Sequence, residues 1–398
     1  AKARVAVVGG GFGGAIAAKY IKRRDPGIDV TLIERHLHYV TCPQSNIYLA
    51  GGRSLKSITF TYDRLRDKYG IKVVFDTVTR VDPVSKKLTL ISGGTLDYDF
   101  LVLSPGIDFV WGAIEGYDEG ASYIMPHAWK AGYQTVLLRR QLEAMKDGGV
   151  VIIASPGNPY RCPPGPYERA SLIAYYLKRH KPRSKVLILD AKDSFAKQGL
   201  FMDAWKRLYP GMIDWVPASD GGEVIGVDTR AMKALTEFDA YRGDVINIIP
   251  PHRAGFIAHA AGLTDASGWC PVDQLTFESK VHKDIFVVGD ACIAGRMPKS
   301  GYAANSQAKV AAAAVVEKAN GRFLRPEFVP HYVNTCYSHV APNYGISVVA
   351  IYHYTPDGIR PVKGAGGVSP RDAPLSFREM EALYSQGWYN SITADMFT

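Results

Sequence analysis

The residues of this sequence with the clearest capacity for redox chemistry are five widely separated cysteines: Cys42, Cys162, Cys270, Cys292 and Cys336. A thiol can attack an electrophile, form a disulfide or bond to a cofactor. The sequence contains no CxxC pair and no Cys/His cluster, so its spacing does not indicate a zinc site. Only the fold can bring two of these thiols together, and spacing alone does not show which two meet.

The surroundings of Cys162 suggest a reactive thiol. It lies in the segment RCPPGPYER, residues 161–169, whose prolines stiffen the loop. Arg161 and Arg169 place positive charge near the sulfur, and a helix predicted after Tyr167 adds the positive end of its dipole. Because both effects favour the charged form of a thiol, we expect Cys162 to favour the thiolate.

The N-terminal segment predicts a dinucleotide site. An apolar strand at residues 4–8 runs into GGGFGG, residues 9–14, and then into a helical pattern. Gly9 permits the tight turn, Gly11 lets a pyrophosphate approach the backbone, and Gly14 lets helix and strand pack closely. A second strand at residues 30–33 ends at Glu34, whose carboxylate can accept hydrogen bonds from ribose hydroxyls.

A second segment identifies the dinucleotide. Residues 277–290 form a turn, an apolar strand and then Gly289-Asp290. This segment resembles the second FAD signature of the glutathione-reductase-like flavoproteins, in which the aspartate holds the ribityl chain. The motif LVLSPG at residues 101–106 resembles the strand-to-linker motif of the same proteins. The three segments, in family order, predict FAD rather than NAD.

The order of these elements predicts an α/β protein with two Rossmann-like dinucleotide-binding domains, glutathione-reductase-like, and a small α+β C-terminal domain. The FAD domain is predicted at residues 1–110 and 246–325, the second domain at 111–245 and the C-terminal domain at 326–398. After a strand at residues 149–153, the second domain carries prolines where its relatives carry a glycine loop for NAD(P)H. Because proline lacks the N–H that a phosphate needs, we expect no nicotinamide nucleotide there.

The composition indicates which classes of binding partner the protein is expected to have. The 47 basic and 38 acidic residues give a net charge of +9, but the basic residues are scattered, which does not favour nucleic-acid binding. No run of 18 apolar residues occurs, so we expect no integral membrane segment. The chain begins at Ala1, which is compatible with removal of an export signal and equally with a shortened N-terminus. We expect a periplasmic protein.

Longer motifs resemble one particular family, the flavoprotein subunits of flavocytochrome c sulfide dehydrogenase. They are VGGG at 8–11, AKYIK at 18–22, TC at 41–42, RCPPGPYERAS at 161–171, GWCPVD at 268–273, MPKSGY at 297–302, NTCY at 334–337 and YGIS at 344–347. The resemblance covers almost the whole chain. Pro43 departs from the pattern, which has a bulkier residue after the attachment cysteine.

The resemblance implies specific roles for the cysteines. Cys42, which has no partner five positions on, would link covalently to the flavin 8α-methyl group; otherwise it is a buried core thiol. Cys162 and Cys336 would form a redox-active disulfide over the flavin, while Cys270 and Cys292 would be structural.

The resemblance also implies further site residues. Glu168 is the candidate base; alternatively, it is a surface carboxylate paired with Arg169. From their charge and helix dipole rather than from the resemblance, we expect Lys299 and the start of a helix at residues 303–308 to neutralise negative charge at the reduced flavin.

The activity implied is oxidation of sulfide to sulfur or polysulfide, with electrons passed to a c-type cytochrome subunit. The chain has no CxxCH motif, so the haem c would lie only on that partner. Two alternatives stay open. A sulfide:quinone reductase shares the fold and the cysteine pattern, and a non-catalytic FAD-binding assembly protein would keep the fold alone.

Overall fold

The computed structural model describes residues 2–325, 327 and 329–398. Its helices, in chain order, are α1 (Gly14–Arg24), α2 (Ser45–Leu49), α3 (Asp63–Tyr69), α4 (Tyr133–Ala144), α5 (Gly165–His180), α6 (Gln198–Leu208), α7 (Phe256–Ala260), α8 (Gly301–Ala319) and α9 (Leu375–Phe397).

The strands are β1 (Arg4–Val8), β2 (Asp29–Glu34), β3 (Tyr39–Val40), β4 (Thr59–Phe60), β5 (Lys72–Phe75), β6 (Val78–Asp82), β7 (Lys87–Leu90), β8 (Thr95–Asp97), β9 (Phe100–Leu103), β10 (Ile107–Phe109), β11 (Val150–Ser155), β12 (Lys185–Asp190), β13 (Ile213–Val216), β14 (Gly226–Asp228), β15 (Lys233–Leu235), β16 (Ala240–Arg242), β17 (Val245–Ile248), β18 (His252–Ala254), β19 (Cys270–Pro271), β20 (Ile285–Val287), β21 (Cys292–Ile293), β22 (His331–Ala341), β23 (Tyr344–Thr355) and β24 (Gly358–Val368).

The first sheet is parallel and has the strand order β20-β9-β1-β2-β5. Strand β1 lies at its centre, and its last four residues are buried because helices cover the sheet. Strand β20 joins from a distant segment, with Ile285 paired opposite Leu101, so the strands of this sheet are not continuous along the chain. The carboxyl ends of β1, β2, β9 and β20 meet at one edge, where such sheets bind ligands.

A second parallel sheet has the order β13-β12-β11-β17. It confirms the second Rossmann-like unit but corrects one boundary. The prediction began the second FAD segment at residue 246, inside β17. That strand pairs with β11 in the middle sheet, Val151 opposite Val245, so the boundary must lie after Ile248. The buried sequence Val-Ile-Asn-Ile suits either sheet, and only the pairing decides between them.

The C-terminal region is an antiparallel sheet, β22-β23-β24, packed against α9. The predicted small α+β arrangement is therefore correct, and the fold class as a whole is confirmed. Within the described ranges, no helix is both long enough and apolar enough to cross a bilayer.

Gly14 fixes the spacing between α1 and the turn after β1. A β-carbon at Gly14 would lie 1.5 Å from the carbonyl oxygen of Gly9, which no relaxed structure tolerates. Gly9 itself has φ = +97°, and a β-carbon there would lie 2.1 Å from the carbonyl oxygen of Ser104. The close approach of α1 to the strand ends therefore depends on two glycines.

We expect Gly14→Ala to lower the free energy of unfolding by about 3 kcal/mol, because the added methyl group must displace the Gly9 carbonyl. Urea unfolding followed by circular dichroism measures the change. Gly157→Ala is the matched control, since a β-carbon at Gly157 meets no atom within 4 Å. Equal stability of the two variants would contradict the packing argument.

Candidate active site

One cavity of about 920 Å³ lies at the shared carboxyl edge of the first sheet and reaches the C-terminal sheet. Its volume is at the upper end of the range for cofactor sites, about 300–1,000 Å³. Ten of the predicted site residues line it: Gly9, Gly11, Glu34, Cys42, Cys162, Glu168, Gly289, Asp290, Lys299 and Cys336. Gly14 instead packs behind the turn. The roles assigned to these residues remain predictions.

The glycine loop forms one end of the cavity. Gly11 faces the phenol of Tyr39, and a β-carbon at Gly11 would come within 3.1 Å of its oxygen. Glu34 follows on the neighbouring strand, and its two carboxylate oxygens accept hydrogen bonds from the backbone N–H groups of Gly10 (3.1 Å) and His36 (2.7 Å). The carboxylate is thereby held beside the loop, where a ribose would lie.

Asp290 has a partner that the sequence did not predict. The Nε of Arg161 donates to its carboxylate at 2.6 Å, and both side chains are largely buried. The positive charge of Arg161, expected to act on Cys162, is therefore directed at Asp290. The neighbouring Lys299 donates to the carbonyl oxygens of Asp290 (2.6 Å) and Cys292 (3.2 Å), and its ammonium lies 3.9 Å from the centre of the Trp269 ring.

Helix α8 begins at Gly301, slightly earlier than predicted, with Ser300 as its N-cap; the Ser300 hydroxyl accepts from the N–H of Ala303 at 3.1 Å. Lys299 therefore lies immediately before the helix start, at the cavity wall. Its burial lowers its pKa, and the groups Cys292 and Asp290 oppose that shift. This position agrees with a role near a cofactor, and the predicted charge neutralisation itself stays a prediction.

Cys162 lies in a constrained loop just before α5. Its backbone has φ = +58°, its N–H donates to the carbonyl of Lys299 at 2.8 Å, and its carbonyl accepts from the N–H of Gly165 at 2.8 Å. The expectation of a thiolate is wrong. Burial raises the pKa of Cys162 well above that of an ordinary thiol, and negative charge at Cys336, Glu168 and Cys42 adds to the effect.

Cys336 lies on β22, opposite Val348, and reaches the same cavity. Cys162 and Cys336 line the same cavity, and negative charge at Cys336 helps to raise the pKa of Cys162. The structure records all five cysteines as free thiols, so the Cys162–Cys336 disulfide remains a prediction. Lys197 contacts Cys336; no sequence pattern had indicated this lysine.

Cys42 is fixed between β3 and α2. Its carbonyl accepts from the N–H (3.0 Å) and the hydroxyl (2.6 Å) of Ser45, and its sulfur lies 3.7 Å from the carbonyl oxygen of Trp129. Beside it, the hydroxyls of Thr41 and Tyr389 are 2.8 Å apart, which ties this loop to α9. Cys42 thus opens to the cavity rather than to a closed core.

Glu168 is held as a hydrogen-bond acceptor in the cavity wall. One carboxylate oxygen accepts from the Asn46 amide at 2.9 Å, and the other accepts from the backbone N–H of His339 at 2.8 Å. The alternative, a surface pair with Arg169, does not occur. The Arg169 guanidinium is buried and donates instead to Asn46, Asn247 and the carbonyls of residues 127 and 128.

These residues fit a flavin dinucleotide. The turn at Gly9 and Gly11 leaves the backbone open where side chains would fill the space, and the start of α1 directs N–H groups toward it. Carboxylates stand at the ends of β2 and β20, and the far end of the cavity carries the sulfur of Cys42. Among the described residues, no cluster of His, Cys, Asp or Glu is arranged to bind a metal ion.

The middle domain carries a different arrangement at the ends of its strands. The ammonium of Lys192 lies 2.9 Å from the fully buried Asp190 carboxylate, at the end of β12. It also donates to the hydroxyl of Ser155 and the carbonyl of Pro156, at the end of β11. The space after β11 is thus bridged by the protein's own ion pair, which supports the expectation that no nucleotide phosphate binds there.

Comparison with known protein families gives three matches. The central domain of the sulfide dehydrogenase [flavocytochrome c] flavoprotein chain matches residues 135–250. The flavin-binding domain of flavocytochrome c sulphide dehydrogenase matches residues 329–397, and the pyridine nucleotide-disulphide oxidoreductase family matches residues 3–132. A flavoprotein chain of sulfide dehydrogenase [flavocytochrome c] from Chlorobaculum thiosulfatiphilum is 63% identical over 43 residues, 11% of this chain and 90% of that sequence.

Other relatives are named as quinone enzymes. The mitochondrial sulfide:quinone oxidoreductase of Mus musculus is 23% identical over 72% of this chain and 65% of its own length. The sulfide-quinone reductase of Aquifex aeolicus is 31% identical over 46% of this chain and 41% of its own length. This chain therefore spans less than two thirds of the length of the mouse enzyme and of the Aquifex enzyme. The solved sulfide:quinone oxidoreductase of Aquifex aeolicus has a TM-score of 0.74 at 16% identity, covering 98% of this chain and 92% of that one, which shows a shared fold.

His127, a buried residue of the cavity wall, predicts that the folded protein loses stability at acidic pH. Burial lowers the pKa of His127 from 6.5 to about 3, with a further contribution from Lys130 and Arg169. Between these values the unfolded chain binds a proton that the folded chain does not, so the free energy of unfolding falls as the pH falls below 6.5. At pH 5 this histidine alone accounts for a loss of about 2 kcal/mol.

We therefore expect His127→Gln to reduce, by about 2 kcal/mol, the stability lost between pH 7 and pH 5. Urea unfolding at the two pH values measures this difference. His331→Gln, at an exposed position, serves as the control and should leave the loss unchanged. A loss in His127→Gln as large as that of the unaltered protein would show that His127 is protonated in the folded state.

Proposed function

Because the chain belongs to the family of flavoprotein chains of flavocytochrome c sulfide dehydrogenase, we propose that it oxidises sulfide and passes the electrons through FAD to a c-type cytochrome subunit. The observation that carries this proposal is the shared cavity. It joins a dinucleotide loop to three cysteines, Cys42, Cys162 and Cys336, and to the carboxylate of Glu168.

Each part of the cofactor has matching residues. The turn at Gly9 and Gly11 would hold the pyrophosphate, Glu34 the ribose and Asp290 the ribityl chain. Cys42 would provide the thioether link to the flavin 8α-methyl group. Once bound, the flavin supplies a two-electron acceptor that can return electrons one at a time.

The disulfide predicted between Cys162 and Cys336 is the group that sulfide would attack. HS⁻ attacks one sulfur, the disulfide bond breaks, and the products are a cysteine persulfide and a cysteine thiolate. A second HS⁻ attacks the outer sulfur of the persulfide, forming HSS⁻ with loss of a proton and freeing the second thiolate. When the two cysteine sulfurs rejoin, two electrons leave. In total, two HS⁻ give HSS⁻, one proton and two electrons.

We propose Glu168 as the base in this series of steps. Its two carboxylate oxygens accept hydrogen bonds from the Asn46 amide and the His339 backbone N–H, and these bonds orient the carboxylate along the cavity wall. Glu168 lies on α5, the helix that begins just after Cys162. It would take the proton from H₂S, and later the proton released with HSS⁻. Burial of the Cys162 thiol makes a fixed acceptor useful, because the free thiol does not ionise readily.

The electrons must leave through another redox group. Since this sequence has no CxxCH motif, a covalently bound haem would belong to a second polypeptide. We propose a heterodimer with a c-type cytochrome, in the periplasm. The charge of +9 is suited to attracting an anionic substrate such as HS⁻.

Quinone is the second candidate acceptor. The observation that favours it is that several curated relatives, with longer aligned segments than the flavocytochrome chain, are named sulfide:quinone oxidoreductases. Sulfide-dependent reduction of cytochrome c and of a soluble ubiquinone analogue, measured on the same preparation without detergent, separates the two. Faster reduction of the quinone would favour the second candidate over the first.

We expect FAD to remain with the polypeptide through denaturation in the unaltered protein and to be released from Cys42→Ala. Denaturing electrophoresis with in-gel flavin fluorescence after acid treatment, together with intact mass, measures the link. Cys270→Ala is the control, because that buried thiol lies outside the cavity lining. If the unaltered protein shows neither fluorescence nor added mass, the covalent link is wrong.

Sulfide-dependent bleaching of the flavin tests the reaction itself. We expect Cys336→Ser to abolish it and Glu168→Gln to slow it by about 10²-fold, since a positioned base typically contributes about 10²–10⁴-fold. Stopped-flow absorbance measures both rates, with Cys270→Ser as the control. Normal bleaching in Cys336→Ser would instead support a flavin-binding protein without this chemistry.

A further inference from the structure

Lys197 is a cation beside Cys336 that the sequence did not single out. It is the N-cap of α6 and has φ = +58°, a left-handed backbone conformation that a non-glycine residue rarely adopts. Such a conformation costs about 1–3 kcal/mol and persists only where surrounding contacts hold it. The contacts of the Lys197 side chain are therefore the observations to consider next.

Its side chain points at β22. The ammonium donates to the carbonyl oxygen of Cys336 at 2.9 Å and to the hydroxyl of Ser338 at 2.7 Å, and it lies 3.7 Å from the Cys336 sulfur. Ser338 is buried, so the anchor is fixed. Two charge-assisted hydrogen bonds thus place a positive charge beside one particular sulfur of the predicted redox pair.

The other charged groups around the pair are already engaged or are negative. Arg161 pairs with Asp290, and Arg169 is bonded to amide and carbonyl oxygens. Glu168 on α5 and Cys42 disfavour negative charge at Cys162, whereas Lys197 favours it. The buried imidazole of His339 faces the Ser385 hydroxyl. The direct contact of the Lys197 ammonium is with Cys336.

We propose that Lys197 is a positioning residue that stabilises negative charge on the Cys336 sulfur when the pair is open, so that Cys336 rather than Cys162 carries the anion. The role in turnover rests on the proposed function, but the charge on Cys336 does not. Reduction of the disulfide by two electrons and one proton gives a Cys162 thiol and a Cys336 thiolate; dithiothreitol supplies the electrons in the test.

The experiment uses the FAD-loaded full chain, reduced with dithiothreitol and pulsed with iodoacetamide across a range of pH. Mass spectrometry of the Cys336 peptide gives its alkylation rate, and Cys162 is followed in the same digest. Because only the thiolate is alkylated, the pH dependence reports the acidity of each thiol. The midpoint potential of the pair is measured in a dithiothreitol redox buffer.

Three variants separate charge from structure. Lys197→Met removes the ammonium, and Lys197→Arg keeps a positive charge. Lys197→Gly removes the charge but relieves the left-handed strain, so this variant should fold even if Lys197→Met does not. Lys206→Met, at an exposed position on the same helix, is the matched control.

We expect Lys197→Met and Lys197→Gly to slow alkylation of Cys336 about tenfold at neutral pH and to shift its pH profile upward. Lys197→Arg should largely restore the rate, and Lys206→Met should not change it. Stabilising one thiolate tenfold raises the potential of the pair by about 30 mV, so loss of the charge should lower it equally. A folded Lys197→Gly protein with an unchanged Cys336 profile would overturn the proposal. Absence of sulfide oxidation in the unaltered protein would count only against the proposed function.

Discussion

The cysteine end of the cavity depends on one buried cation, Arg169. Its guanidinium joins α2 through Asn46, the middle sheet through Asn247 and the segment at residues 127–129 through two carbonyls, and it packs 4.7 Å from the Trp129 ring. Burial lowers its pKa to about 10, yet its hydrogen bonds keep it satisfied. Asn46 in turn orients Glu168, and the carbonyl of Trp129 contacts the sulfur of Cys42. One polar centre therefore sets the relative positions of the Glu168 carboxylate and the Cys42 sulfur.

The two Rossmann-like units share an architecture but differ in what completes their strand ends. In the first, glycines keep the edge open, and the backbone can accept a cofactor. In the second, Lys192 and Asp190 close the edge with an internal ion pair that also engages Ser155. A cation that is already neutralised and hydrogen-bonded has little to gain from a phosphate. The middle unit thereby serves as a support for the cysteine loop that follows its first strand.

Local sequence patterns predicted the secondary structure and the glycine turn. They did not predict the charge contacts between residues that are far apart in the sequence. The strand β1, the glycine turn and the order of elements follow from periodicity and backbone constraints that act within about thirty residues. The thiolate expected at Cys162 was wrong because Arg161 pairs with Asp290, 129 positions away, and because burial outweighs the remaining charges. Lys197 carried no signal, since its partner Cys336 lies 139 positions further on. The predicted domain boundary at residue 246 was wrong because the sequence of an apolar strand does not show which sheet the strand joins.

The long separations within the first sheet have a consequence for biosynthesis. Strand β20 completes that sheet beside β9, so the nucleotide cradle cannot close until residue 287 has been translated. The middle unit lies between these two strands in the sequence, so closing the sheet brings together the ends of a very long chain segment. The hydrogen bond between Thr41 and Tyr389 spans 348 positions and closes the wall beside Cys42 later still. The cradle for FAD is therefore complete only in a polypeptide that has been translated at least to residue 287, and the wall beside Cys42 only in one translated at least to residue 389.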